Sequence, residues 1–220
     1  MVKVKLKLCA LQKNHSRDCG FFISYFMMNA YIGFTLYSLC FHIYRLKSQK
    51  SKNMPFTPLH LGIGASLKAV QTQRFSLMVF AGTQVLMDIE PLLRLILKWN
   101  TLHLYTHNLL GAVLIAAIAA LFGRPSSQFV LKKLSYKNWK ITWKVAISSA
   151  VFGSLSHVLL DAFMHHDMYP FFPFSMSNPM LHLVDYNVIF WGCILSLLIG
   201  GIISIIRIFN DRTERSNNEK

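Results

Sequence analysis

Apolar residues in this chain gather in long blocks separated by short polar connections, rather than alternating as on a half-buried strand. The clearest blocks run from Phe21 to Tyr44, Ser76 to Leu97, Asn108 to Phe122, Val145 to Phe163 and Asn187 to Phe209. Several approach the roughly 20 residues a helix needs to cross a bilayer. The pattern predicts an all-α, polytopic helical membrane protein with about 4–6 membrane helices, since helices satisfy their own backbone in lipid. Ahead of the second block, Pro55 and Pro58 set an extended lead-in. Thr57 is then placed to cap a short or re-entrant helix over 57–73, with His60 in its first turn. Pro91 interrupts the hydrogen-bond ladder just after Asp88 and Glu90, predicting a local opening or a kink there.

Composition supports the membrane reading: 53% of the 220 residues are hydrophobic, outside the usual soluble range. A net charge of +14 suggests nucleic acid at first sight, but the basic residues cluster at the ends of apolar blocks and no nucleic-acid motif accompanies them. Orientation accounts for them better. Arg124, Lys132, Lys133, Lys137, Lys140 and Lys144 occupy one connection, and Arg207, Arg212 and Arg215 flank the last block, so both regions are expected to be cytoplasmic. The 124–144 stretch, with Phe129, Trp139 and Trp143 among its lysines, reads as a segment lying on anionic lipid. The loop from Met164 to Tyr186 has no Lys or Arg and falls on the opposite face.

Three regions follow from these shifts. Residues 1–53 form a basic extension around a possible signal-anchor block, unless translation starts at Met54. Residues 54–210 make the membrane-embedded domain, and 211–220 a polar cytoplasmic tail. Cys9, Cys19, Cys40 and Cys193 show neither metal-ribbon nor disulfide spacing.

Between residues 19 and 210 the only carboxylates are Asp88, Glu90, Asp161, Asp167 and Asp185, each in or beside a segment that carries histidine or lies at membrane depth. Charge-based topology, which makes no use of these residues, brings His60, Asp88, His107, His157, Asp161 and the His165–Asp167 run to one side of the membrane. Imidazole and carboxylate together suit a divalent metal, zinc or manganese. His157 and Asp161 are four apart, so a helix presents both from one face. Asp161 is either a ligand beside His157 or the acceptor that fixes its tautomer. His103 and His107 share that spacing, with His107 favoured as ligand and His103 open between ligand, supporting partner and solvent-facing residue. His165 is taken as a further ligand, and His166 with Asp167 as the acid/base pair. His182 and Asp185, three apart, are additional candidates. No nucleophile elbow, phosphate loop or dinucleotide fingerprint occurs, which leaves a metal-activated water as the available chemistry.

At these residues the chain resembles the YdjM family of bacterial inner-membrane-associated metal-dependent hydrolases. The matching pieces are Thr57-Pro-Leu-His60, Met87-Asp88, Thr106-His107, Ser156-His157-Val-Leu-Leu-Asp161 and Pro170-Phe-Phe-Pro-Phe-Ser175, across about Met54 to Phe209. The order is also similar, more distantly, to that of the helical zinc-dependent phospholipase C and nuclease superfamily. That likeness implies His60, Asp88, His107, His157, Asp161 and one of His165 or His166 as ligands, with a metal-bridging water as nucleophile. Gln84 and Met87 depart from the residues the family usually carries before its acid, and the His182–Asp185 spacing departs from the distant superfamily's His-x-x-x-Glu. The expectation is a membrane-bound hydrolase of a phosphoester or lipid, in the bacterial inner membrane, with its site toward the extracytoplasmic side. A transport or ion-relay protein using Asp88, Glu90 and the histidines, and a scaffold with a structural metal, are the alternatives.

Overall fold

The structure, a computed structural model, describes residues 57–99, 101, 103–133 and 140–218. The expected extension over 1–53, its apolar block and the Met54 start lie outside the described residues. What is described is all-helical: α1 (Thr57–Val70), α2 (Leu77–Leu97), α3 (Leu109–Lys133), α4 (Trp143–Met164) and α5 (Tyr186–Asn218).

Local chemistry sets the helix ends. Ser76 and Thr142 are the N-caps of α2 and α4, their side chains accepting from the Val79 and Val145 amides. α2 stops at Lys98, whose left-handed backbone lets its N–H turn back to Arg94 and Leu95. Asp185 begins α5, its carboxylate accepting from the Asn187 amide at 2.8 Å. At 14 residues, α1 spans about 21 Å, short of the roughly 30 Å hydrocarbon core. This agrees with the short or re-entrant helix expected there.

Three helices, α3, α4 and the Tyr186–Arg207 part of α5, are long and apolar enough to cross a membrane. α2 has the length, but Asp88, Glu90, Pro91 and Arg94 occupy its second half. The expected block ending at Phe122 is longer than its hydropathy suggests, because α3 runs on through Pro125 to Lys133. Those extra turns have something to hold. Leu131 and Ile141 are buried in one cluster, Arg124 Nε donates to the Ile141 carbonyl at 2.9 Å, and Gln128 Oε1 accepts from its amide at 3.0 Å. At the other end of the chain, α5 carries helix into 211–218, where a polar tail was expected.

Exposed Val113, Leu114, Ile118, Leu121 and Phe122 on α3, with Leu195, Leu198, Ile202 and Ile206 on α5, give the outer surface the apolar character of a protein whose solvent is lipid. The interior is built from small residues. Ala116, Ala119 and Ala120 of α3 meet Ala146 and Ala150 of α4 and Val79 of α2. α5 lies against α1 and barely touches α4. A side chain at Gly62 would come within 2.2 Å of the Cys193 carbonyl oxygen, so α1 and α5 approach at backbone distance. Ser66 donates to the Ser196 carbonyl in the same contact.

Candidate metal centre

At the end of the bundle opposite the alanine core, α1 supplies His60, α2 Asp88, the lead-in to α3 His103 and His107, α4 His157 and Asp161, and the end of α4 His165. His107 and His157 are fully buried and Asp161 and His60 nearly so, while the Asp88 side chain is 30% exposed and forms the open side.

Three ligand atoms make the tightest group. His107 Nε2 and His157 Nε2 are 3.2 Å apart, and Asp161 Oδ2 lies 3.4 Å from the first and 3.2 Å from the second. Asp88 Oδ1 is 3.3 Å from His157 Nε2. Ligands about 2.0–2.1 Å from a tetrahedral ion stand about 3.3 Å from one another. The triangle therefore has the edge such an ion requires.

Supporting residues orient both imidazoles. Gln84 Nε2 donates to the Gly153 carbonyl at 3.1 Å, which turns its Oε1 toward His157 Nδ1 at 2.5 Å. An amide oxygen only accepts, so His157 Nδ1 carries a proton and Nε2 is the ring nitrogen turned toward the cluster. His107 is held by a chain that starts at Pro91. Proline has no amide proton, so the carbonyl of Met87, four residues back, is released from the helix ladder. The Thr106 hydroxyl lies 3.1 Å from that carbonyl and 2.8 Å from Glu90 Oε2. Its single proton goes to one of these acceptors, so Thr106 Oγ1 accepts from His107 Nδ1 at 2.8 Å. Glu90 also takes the Tyr105 and Thr106 amides and is paired with Arg94 at 2.6 Å. Behind this turn a side chain at Gly111 would strike the Tyr105 carbonyl, so only glycine permits the approach.

The two Nε2 atoms thus face each other across 3.2 Å beside two carboxylates. A divalent cation held there would offset the carboxylate charge at low dielectric.

A second set lies around the same carboxylate. His103, Asp161 and His165 bring ligand atoms within 4.8 Å of one another, as do His60, His157 and Asp161, and Asp88, His107 and His157. His60 Nε2 is 3.7 Å from Asp161 Oδ1, and its buried Nδ1 has no hydrogen-bond partner among the described residues. His103 and His165 stack at 4.2 Å, and His103 Nδ1 is 3.1 Å from Asp167 Oδ1. Burial holds His107 below its ordinary pKa and pushes His165 down to about 4, so both are neutral and able to bind metal at physiological pH.

No family profile, curated protein or solved structure matches this chain. The site is read from its own geometry. All six residues marked as metal ligands, His60, Asp88, His107, His157, Asp161 and His165, fall in these groups. Asp167 partners His103, and His166 is exposed. His182 is exposed with a left-handed backbone, and Asp185 serves as the α5 cap. His103 belongs to the cluster, where the sequence left its role open. Gln84 and the Glu90–Arg94 pair carry no signal in the sequence as supports for it, whereas Thr106 does, as the polar neighbour that with Gly111 favours His107 as ligand. The retrievable signal was Pro91, which announces a free carbonyl four residues earlier.

Proposed function

We propose that the chain is a membrane-bound, metal-dependent hydrolase that uses a metal-activated water on a phosphoester or lipid. The triangle of His107 Nε2, His157 Nε2 and Asp161 Oδ2 carries this reading, because its edges of 3.2, 3.4 and 3.2 Å suit one tetrahedral ion. Zinc fits the imidazole-rich donor set, and manganese is the other expected metal. Three ligands leave the fourth position for water, whose pKa the ion lowers toward neutrality. Asp88, partly exposed and 3.3 Å from His157 Nε2, is placed either to complete the coordination or to take the water's proton. His166, exposed beside His165, and Asp167 remain the proposed acid/base pair. Asp167, hydrogen-bonded to His103, orients that imidazole. The likeness to the YdjM family, the inner-membrane location and the extracytoplasmic mouth belong to the same proposal.

Glu90 argues against the ion-relay alternative. Its carboxylate is occupied by two amides, a hydroxyl and Arg94, which makes it a structural anchor.

Metal analysis of purified wild type beside His157→Ala and Asp161→Asn tests the proposal, with melting temperature and hydrolysis of a chromogenic phosphodiester measured on each. Wild type is expected to carry about one ion per chain or more, with activity that follows metal content. Wild type with less, and no hydrolysis gained on adding zinc or manganese, would sink it.

A further inference from the structure

Away from the metal cluster, the lipid-facing side of α3 and α4 carries a groove of about 420 Å³. Its floor is made of buried small residues, Ala116, Ala120 and Ser154, and its walls of exposed Val113, Leu121, Ile147, Val151 and Leu155. Along α4 it extends from Trp143 to Leu155, about 18 Å at the helical rise and close to the depth of one leaflet.

The two ends of the groove differ. Beyond Leu155, toward the metal end, Ala112, Val158, Ala162 and Met168 belong to an apolar cluster that offers no charge. At the other end stands Trp143, with the Arg124 guanidinium 4.4 Å over its ring and exposed Lys140 and Lys144 on either side of it in sequence. That end also holds the first turn of α4, whose positive dipole end favours an anion. An apolar slot one leaflet long with cations at a single end has the polarity of one phospholipid: chain in the slot, phosphate at the rim.

We propose that this groove seats one acyl chain of an anionic phospholipid, with its phosphate held at Arg124, Lys140 and Lys144. The site is separate from the metal cluster and independent of any hydrolytic activity. Because aliphatic walls, small floor residues and Trp143 at one end shape it, it selects a bound lipid rather than a generally wetted surface.

Native mass spectrometry of the full chain, released from nanodiscs of phosphatidylglycerol or of phosphatidylcholine, provides the test. Wild type is expected to retain one phosphatidylglycerol and at least about tenfold less phosphatidylcholine. Ala117→Trp, at an exposed lining position where the bundle need not repack, is expected to abolish retention. The double variant Arg124→Gln/Lys144→Gln is expected to remove the preference for the anionic lipid, with the melting temperature reporting any loss of fold. Equal retention of both lipids by wild type, or unchanged retention in Ala117→Trp, overturns the proposal. A lipid-free dimer that Ala117→Trp dissociates also overturns it, in favour of a second copy as occupant. Inorganic phosphate that displaces the lipid stoichiometrically would show that only the headgroup is recognised, and would overturn the acyl-chain seat.

Discussion

The same three helices, α2, α3 and α4, meet in opposite ways at their two ends. At one end Val79, Ala116, Ala120, Ala146 and Ala150 bring backbones together through apolar contact. At the other, Asp88, His107, His157 and Asp161 converge through ring nitrogens and carboxylate oxygens. The alanine end needs only close fit, and in lipid that fit is what drives helix association. The histidine end costs desolvation and is stable only when its network is complete. The first end therefore acts as the scaffold and the second as the site, with Gln84 and Ser149 joining them. Gln84 ties α4 to α2 one turn below His157, and Ser149 accepts from the Ser76 amide at 2.8 Å nearer the alanine end.

Substitutions can break this division of labour or sharpen it. The largest effect is expected from Asp161→Asn, which removes the charge common to two of the three ligand groups. Metal content measured by inductively coupled plasma mass spectrometry should fall to near zero, an affinity loss of about a hundredfold or more, beyond the range for supporting residues. A helical circular dichroism spectrum retained in this variant would keep scaffold and site distinct. Cooperative unfolding would instead make the metal structural. Next comes Ala150→Leu at the alanine end, where overpacking is expected to cost about 1–3 kcal/mol. Denaturant titration should register that loss while the folded fraction still binds metal at the wild-type ratio.

Thr106→Val keeps the shape and removes the hydroxyl that receives His107 Nδ1. Metal affinity should drop about 10–100-fold with the melting temperature little changed, a split that competitive chelator titration reads directly. The smallest effect is expected from Asp185→Ala, which removes the α5 cap. It should cost about 1 kcal/mol and leave metal binding untouched. Loss of metal in that variant would return Asp185 to the site.

Much of the scaffold was legible in the sequence because hydropathy records burial directly. The blocks at Ser76–Leu97, Val145–Phe163 and Asn187–Phe209 differ from α2, α4 and α5 mainly at their ends. The continuation of α3 past Pro125 was not legible. Its stabilising partners, Ile141 and the turn before α4, are distant in the chain and carry no periodic signal. The candidate ligands could be picked out because His and Asp are scarce and expensive in an apolar chain. Most of their supports could not, because glutamine and glutamate become part of a site only through what they face. Gln84 carries no sign of a supporting role until the Gly153 carbonyl fixes which end of its amide points at His157.

Pro91 removes one hydrogen bond from α2, and a more regular helix is easily made by Pro91→Ala. The released Met87 carbonyl would then return to the ladder, and the Thr106 hydroxyl would lose one of its two acceptors. The variant should melt higher and bind metal less well. A consensus-minded engineer would count it as an improvement, while the irregularity it erases is the point from which His107 is aimed.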